Sequence, residues 1–198
     1  MKKRIIYIGM ITLIIALLGF EGMVIRKQSA LLGKTQSDLS MAEHHIAVLK
    51  GNIADSWHLE RAKFNVDGIV DEDGQKPDAN HFRFDRPVIL FRFSKVDCSD
   101  CVVEQIDLIQ EFIRNTGIRH MMICDYSSKR NLGIFKRVNA IKDTVYDCEK
   151  MLEGEHRTPY FCMYGEGVIS DVFFPDDDFP ELTKMYFKEI TAKYFKEP

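Results

Sequence analysis

Residues 87–113, PVILFRFSKVDCSDCVVEQIDLIQEFI, decide the fold of this 198-residue chain. Residues 87–93 form a short, nearly continuous apolar run, which is typical of a β-strand buried on both faces. Residues 101–113 carry apolar side chains at helical spacing, and one stripe contains Val102, Ile106, Ile109 and Ile113. The stretch therefore predicts a core strand followed directly by an amphipathic helix, with Cys98 and Cys101 at their junction.

This junction carries a CxxC motif, Cys98-Ser99-Asp100-Cys101. Free N–H groups and the dipole at the start of a helix stabilise a thiolate, so the first cysteine of such a pair is a good nucleophile. The second cysteine lies one turn into the helix, where it can attack a mixed disulfide and release the bound partner. The position of the motif after a core strand predicts a redox-active thiol pair.

The rest of the chain continues the alternation of strands and helices. In order, the pattern predicts a strand at residues 118–124, a helix capped by Ser127 or Ser128, a short strand at 144–146, a hairpin of strands at 160–164 and 168–174, and a final helix. The order β-α-β-α-(β)-β-β-α predicts an α/β sandwich.

A second feature, Thr158-Pro159, directly precedes the predicted strand 160–164. With the strand–CxxC–helix unit, the terminal hairpin and the closing helix, it resembles the thioredoxin fold over about residues 82–196. The resemblance implies a three-layer sandwich with a mixed central sheet. It also implies that Cys98 is the nucleophile, that Cys101 is the resolving thiol, and that Thr158 and a cis Pro159 cradle a substrate peptide.

The sequence departs from this family at three positions. Asp97 and Asp100 stand where members usually have Trp and often Pro, and two carboxylates beside the thiols oppose thiolate formation. We therefore expect a less acidic Cys98 and a more reducing couple than in oxidant members, which favours reduction. Arg92 lies six residues before Cys98, where thioredoxins keep a buried acid, and Arg cannot act as a general base. Pointing towards the sulfurs it would stabilise a thiolate, and pointing outward it would be a surface charge.

The N-terminus predicts a membrane anchor. Residues 5–25 are apolar except for Glu21-Gly22, and 21 helical residues span roughly 30 Å. No small-residue cleavage site follows the run, so residues 1–27 are interpreted as an uncleaved signal anchor and transmembrane helix. The MKKR start then lies in the cytoplasm, and the rest of the chain lies outside the inner membrane, in the periplasmic or extracytoplasmic space. With this anchor the chain resembles membrane-anchored TlpA/ResA-type thiol–disulfide oxidoreductases.

Residues 28–63 predict a helical stalk. Leu32, Leu39, Ile46 and Ile53 recur at intervals of seven, as in a coiled coil. A homodimer through this stalk is one interpretation, and a single amphipathic helix lying on its own domain is the other. Trp57 is expected to anchor the helix against the thioredoxin-like domain, which is assigned to residues 64–198.

The other cysteines are expected to be inert. The resemblance implies that the strands of Cys124 and Cys162 flank the CxxC-bearing strand. Two strand spacings are then too far for a disulfide, and both thiols are expected to be buried. Cys148 is interpreted as a surface thiol, with an extra redox role as the less favoured alternative.

Composition limits the functional classes. Lys and Arg number 27 against 30 Asp and Glu, which excludes a generally basic nucleic-acid binder. One CxxC without a second paired motif argues against structural zinc, and no metal or other cofactor is expected. The expected partners are protein thiol or disulfide substrates and a membrane thiol-electron donor. A redox-inactive interaction module, or a copper-handling protein using the cysteines with His120 or His156, remain the alternatives.

Overall fold

The computed structural model describes residues 2–126, 128–153, 155 and 158–195, without the side chains of residues 2–18 and 79. Its first element is one long helix, α1, at Lys2–Leu59. By contacts the chain divides into two compact units, residues 1–49 and residues 50–198. Where side chains are described, no helix combines the length and apolarity needed to cross a membrane. The predicted span at residues 5–25 falls mostly on side chains outside that described part.

The heptad positions of the first unit are exposed to solvent. Leu32, Leu39 and Ile46 expose between 52% and 69% of their surface. Residues 28–49 are helical throughout, as the spacing predicts. The apolar stripe at this spacing is uncovered, and pairing of two copies through the stalk stays a prediction.

The last turns of α1 belong to the second unit and pack on it. Leu59 is fully buried in the core of that unit. The Asn52 side-chain amide is buried and donates to the Phe174 carbonyl at 2.8 Å. The expectation for Trp57 is wrong, because its side chain is 78% exposed. Leu59, two residues later in the chain, lies on the face that packs.

The second unit contains the predicted α/β elements. In chain order they are a short 3₁₀ helix at Ala79–Phe82, β1 at Val88–Ser94, α2 at Ser99–Thr116, β2 at His120–Asp125, α3 at Lys129–Val138, β3 at Val145–Asp147, β4 at Tyr160–Gly165, β5 at Val168–Phe173, α4 at Pro180–Ile190, and a π-helical turn at Thr191–Phe195. Gly117 ends α2 in the left-handed conformation, at φ 68°, and its N–H donates to the Ile113 carbonyl at 2.7 Å. Ser127, one of the two predicted caps of α3, lies outside the described residues, and Ser128 is the N-cap.

The five strands form one mixed sheet in the order β3-β2-β1-β4-β5. β1 pairs in parallel with β2, and β2 in parallel with β3. β4 runs antiparallel to β1, and β5 antiparallel to β4. All seven residues of β1 are buried, as its apolar run predicts for a central strand. The α/β class and the mixed sheet are confirmed.

The two faces of the sheet are covered differently. β1-α2-β2 and β2-α3-β3 both step in the same direction across the sheet, and right-handed crossovers then place both helices on the same face. The core of that face joins β-strand side chains to α2, α3 and α4, and includes Phe91, Phe93, Ile106, Ile109, Leu132, Phe135, Phe187 and Ile190. The opposite face is covered by Leu59 of α1 and by irregular segments that supply Phe64, Ile69, Phe82, Met151 and Leu152. The second outer layer of the predicted sandwich is therefore mostly irregular chain.

One part of that irregular layer, residues 61–70, touches both edges of the sheet. We call it the cross-sheet segment. At one end Lys63 forms a bridge with Val168 of β5, and at the other Val70 forms a bridge with Asp147 of β3. The Val70 and Asp147 backbones exchange two hydrogen bonds, of 3.0 and 2.9 Å. Phe64 and Ile69 between them are buried against the sheet. Both edge strands are thus paired by the same short segment.

Candidate active site

The cysteine pair lies where the chain leaves the sheet and enters α2. The Asp97 N–H donates to the Ser94 carbonyl at 3.1 Å, which closes a tight turn at the end of β1. Cys98 is the N-cap of α2, and its carbonyl accepts from the Val102 N–H at 3.0 Å. Cys98 and Cys101 form a disulfide with Cα atoms 5.2 Å apart. Cys98 is exposed and Cys101 is half-buried, so solvent reaches the first cysteine more readily.

Thr158 and Pro159 lie beside this turn on the neighbouring strand. The peptide bond between them is cis, and β4 begins at the next residue. Tyr160 of β4 is in register with Arg92 of β1, so the start of β4 lies next to the end of β1. The Thr158 hydroxyl donates to Asp97 Oδ1 at 3.0 Å. The structure thereby brings the cysteine turn and the Thr158–Pro159 loop into contact.

Asp97 makes that contact and a second one. Its Oδ2 accepts a 2.6 Å hydrogen bond from the Ser94 backbone N–H. Burial raises the pKa of the Asp97 carboxyl, although the bonds from Ser94 and Thr158 and the charge of Arg92 act in the opposite direction. The sequence alone indicates Asp97 only as a charge beside the thiols. The spacing of one motif carries no signal for a hydrogen bond to a loop 61 residues away.

Arg92 was expected to point either towards the sulfurs or out to solvent, and both expectations are wrong. Its side chain is buried in an ion pair with Glu155. The side chain is 2% exposed, and its Nε and Nη2 donate to the two carboxylate oxygens of Glu155 at 2.9 and 3.1 Å. Although burial opposes its charge, the hydrogen bond and the negative charge of Glu155 raise the pKa of Arg92. The Tyr160 hydroxyl donates to Glu155 Oε1 at 2.8 Å. A buried acid is therefore present next to β1, supplied by the loop before β4.

Sequence reasoning did not find Glu155. A buried Arg must have an anionic partner, because an unpaired buried charge is strongly destabilising. That rule gives a signal, since the partner of a central-strand Arg must be an acid in a loop that reaches the same face. It does not select Glu155 among the acids near the Thr158–Pro159 loop.

The three remaining cysteines are free and buried. Cys124 on β2 and Cys162 on β4 flank β1, as predicted, and they face opposite sides of the sheet. The surface position expected for Cys148 is wrong, because its side chain is 2% exposed. Burial raises the pKa of all three thiols, and for Cys148 the nearby Arg92 opposes that effect.

His120 cannot join the cysteine pair in a copper site. It pairs with Ile89 near the start of β1, whereas the cysteine turn follows Ser94 at the other end of that strand. Five residues of strand separate the two ends by roughly 16 Å. His120 instead lies 3.7 Å from a carboxylate oxygen of Asp143. The other candidate, His156, lies outside the described residues. Within the described part of the chain, no group of three His, Cys, Asp or Glu side chains is arranged to hold a metal ion.

No protein-family model matches the sequence, and no curated protein matches it either. Similar solved structures include an uncharacterized thioredoxin-like protein from Porphyromonas gingivalis, which is 15% identical, with 68% of this chain and 95% of that chain covered and a TM-score of 0.49. A putative protein disulfide isomerase from Bacteroides thetaiotaomicron is 13% identical, with 68% and 92% covered and a TM-score of 0.47. A thiol-disulfide oxidoreductase from Bacteroides fragilis is 14% identical, with 64% and 98% covered and a TM-score of 0.45.

The topology of this chain itself identifies its fold. The mixed sheet has β1 at its centre, with parallel β2 on one side and the antiparallel β4–β5 hairpin on the other. A CxxC disulfide opens the helix after β1, and a cis-proline opens β4 beside it. With these features, the second unit has a thioredoxin-like fold.

Proposed function

We propose that the domain is a thiol–disulfide oxidoreductase that acts on protein disulfides through Cys98 and Cys101. The observation that carries the proposal is the exposed Cys98 at the N-terminus of an 18-residue helix, bonded to Cys101 and placed beside the Thr158–Pro159 loop. Helix N–H groups at this position favour the thiolate form of a cysteine. A backbone segment next to a cis-proline can lie along an extended substrate chain.

The reaction starts from the reduced pair. The Cys98 thiolate attacks one sulfur of a substrate disulfide, forming a mixed disulfide and releasing the first substrate sulfur as a thiolate, which takes up a proton. Cys101 then loses its proton and attacks Cys98 Sγ, which releases the second substrate sulfur and closes the Cys98–Cys101 disulfide. The second substrate sulfur is likewise protonated. The substrate thus gains two electrons from the domain and two protons, one given up by Cys101 and one taken from solvent, to which Cys98 had lost its own. A second dithiol must then reduce the pair for another cycle.

Reduction is the favoured direction. Asp97 and Asp100 both adjoin the cysteines in the chain, and negative charge there disfavours a thiolate. Strong oxidants of this type owe their potential to a stabilised reduced form. Two carboxylates beside the thiols work against that stabilisation, so we expect a low midpoint potential.

We also propose that residues 5–25 anchor the chain in the inner membrane, with the domain on the extracytoplasmic side. The apolar run and the basic MKKR start support this orientation. A membrane thiol-electron donor would then supply the dithiol that reduces the cysteine pair. The exposed stripe of Leu32, Leu39 and Ile46 supports pairing of two copies through the stalk.

A redox titration tests the oxidoreductase proposal. The full chain in detergent is equilibrated in graded thiol/disulfide buffers, and its free thiols are counted by the mass shift on alkylation. We expect a reversible two-thiol step assigned to Cys98 and Cys101, with a midpoint near or below about −270 mV, whereas an oxidant would give about −120 mV. The C98S variant is the control and should lose the step. A wild-type pair that never opens, or never closes, would favour a redox-inactive interaction module.

Two further experiments test the anchor and the stalk separately. Washing membranes at alkaline pH should leave the chain in the pellet, and a chain released into the wash would contradict the anchor.

Sedimentation in detergent should give a dimer that L39D converts to a monomer. The matched control S40D adds the same charge outside the heptad stripe and should leave the dimer intact. A monomeric wild type would contradict the pairing.

A further inference from the structure

Asp97 is the side chain through which the cysteine turn and the Thr158–Pro159 loop are joined. One carboxylate oxygen accepts from the Ser94 N–H at 2.6 Å, within the turn itself. The other accepts from the Thr158 hydroxyl at 3.0 Å, across to the loop before β4. Two donors on two separate segments therefore fix one short side chain, and that side chain directly precedes Cys98.

We propose that Asp97 is a positioning residue that holds the Thr158–Pro159 loop at a fixed distance from Cys98. The inference rests on the proposed oxidoreductase function and deepens it. A protein substrate must lay an extended segment along the loop while its disulfide reaches Cys98 Sγ. A fixed spacing allows both contacts at once, whereas a mobile loop adds an entropic cost to binding. A small disulfide that touches only the cysteine turn does not need the spacing.

Asp97 interacts electrostatically with several neighbouring groups besides its two hydrogen-bond donors. Its side chain is half-buried, and it interacts electrostatically with Arg92 on β1 and Glu155 in the loop before β4. Tyr126, which follows β2, also interacts with its charge. Asp97 is thus held among one cation, one further acid and one phenol, so charge and geometry must be separated experimentally.

Two variants remove the link from opposite sides. D97A deletes the carboxylate, and T158V deletes the hydroxyl that donates to it while preserving the side-chain shape. Single-turnover reduction is measured with the pre-reduced full chain in detergent, using insulin as protein disulfide and cystamine as small disulfide. For both variants we expect the half-saturating insulin concentration to rise about tenfold, as for loss of a hydrogen bond to a charged group. T158V should change the cystamine rate less than about twofold, since no segment is bound on the loop. D97A also removes the negative charge beside Cys98, so its cystamine rate is compared with that of D97N, which lacks the same charge.

Two conservative variants should restore insulin binding. T158S keeps the hydroxyl. D97N keeps the geometry, because its carbonyl oxygen can accept from the Ser94 N–H while its NH₂ donates to the Thr158 hydroxyl, which can also act as an acceptor. D97N should therefore retain the half-saturating concentration of the wild type but shift the redox midpoint to a more oxidising value, because a negative charge beside Cys98 is lost. D100N is the matched control for charge. It removes the exposed charge between the cysteines without touching Thr158, so it should leave the half-saturating insulin concentration at the wild-type value.

The outcomes distinguish this inference from the proposed function. If the wild-type chain reduces neither insulin nor cystamine, the oxidoreductase proposal fails. If the wild type reduces both, and both D97A and T158V keep the half-saturating insulin concentration of the wild type, Asp97 has no positioning role. That result overturns this inference alone. If D97N weakens insulin binding as much as D97A does, the carboxylate charge rather than the link to Thr158 is what matters, and the inference is likewise overturned.

Discussion

The five cysteines fall into two groups whose surroundings differ in every respect that governs thiol chemistry. Cys98 and Cys101 lie at the start of α2, one exposed and the other half-buried, and are joined as a disulfide. Cys124, Cys148 and Cys162 lie in the two apolar cores, and burial raises the pKa of each. Solvent thus reaches the cysteine pair, whereas burial disfavours the thiolate form of the other three cysteines.

The contrast teaches that position along a strand decides the role of a cysteine. Cys124 and the cysteine turn both lie at the carboxyl ends of adjacent parallel strands, with Phe93 in register with Cys124. The turn continues into a helix N-terminus beyond the sheet, whereas Cys124 is still part of the strand and fully buried. A few residues of extra chain therefore separate a cysteine exposed at a helix N-terminus from one buried in the core.

The largest effect should come from replacing each cysteine of the CxxC pair with serine. C98S should lose at least about a thousandfold in insulin reduction, because its nucleophile is gone. C101S should instead accumulate mixed disulfides on Cys98, because nothing resolves them. Mass spectrometry of the trapped adducts checks both, with C124A as the control that should turn over normally. Equal loss in C124A would abolish the contrast between the two groups.

A large effect on folding should come from the buried charge pair beside the inert thiols. R92M leaves Glu155 buried without its cation, which should lower the free energy of unfolding by about 3–5 kcal/mol. The double variant R92M/E155L removes both charges and should recover much of that loss. Urea unfolding measures each value. R119M, at an exposed arginine that lies over the Phe84 ring, should cost at most about 1 kcal/mol. A comparable loss in R119M would show that the Arg92–Glu155 pair is not special.

Alkylation of the folded, reduced chain should sharpen the contrast directly. We expect Cys98 to react with iodoacetamide at least about a hundredfold faster than the three buried thiols, which must wait for local opening of the core. Peptide mass mapping against time gives each rate. In urea the five rates should converge, and a difference that survives unfolding would mean that burial is not its cause.

The smallest effect concerns pH and Asp97. Burial raises the pKa of this carboxyl above its usual 3.8, so the folded chain binds its proton more tightly than the unfolded chain. Its contribution to stability is therefore present at low pH and is lost as pH rises through the folded pKa. Relative to D97N, the wild type should lose less than about 1 kcal/mol between about pH 3 and pH 7, since solvent screens a half-buried group. Urea unfolding of both proteins across this range measures the difference, and a gain for the wild type would reverse the sign.

Most of the central sheet could be predicted because β1, β2 and β4 are buried on both faces. The apolar runs of β1 and β2 and the Gly165–Gly167 turn between β4 and β5 each carry a local signal. The short strand predicted at residues 144–146 is also present, and it lies one residue later, at Val145–Asp147. The cover of the second face was not predicted, because irregular segments have no periodicity.

The site was predictable in its identity and not in its connections. The CxxC motif and Thr158-Pro159 are local patterns, and both lie together at one edge of the sheet. The bond between Asp97 and Thr158 and the pairing of Arg92 with Glu155 join positions about sixty residues apart, and a single sequence holds no record of such pairs. Trp57 shows the same limit, because its size suggested burial while the helix turns it to solvent.

The cross-sheet segment has a consequence for association between copies of the chain. An open sheet edge offers unpaired N–H and C=O groups, on which a strand from another molecule can build an aggregate. Here β3 and β5, the two edge strands, already meet Val70 and Lys63 of the same chain. β3 is also only three residues long, which leaves little template at that edge. Residues 61–70 therefore occupy part of both sheet edges and leave less free backbone there for a strand from another copy to pair with.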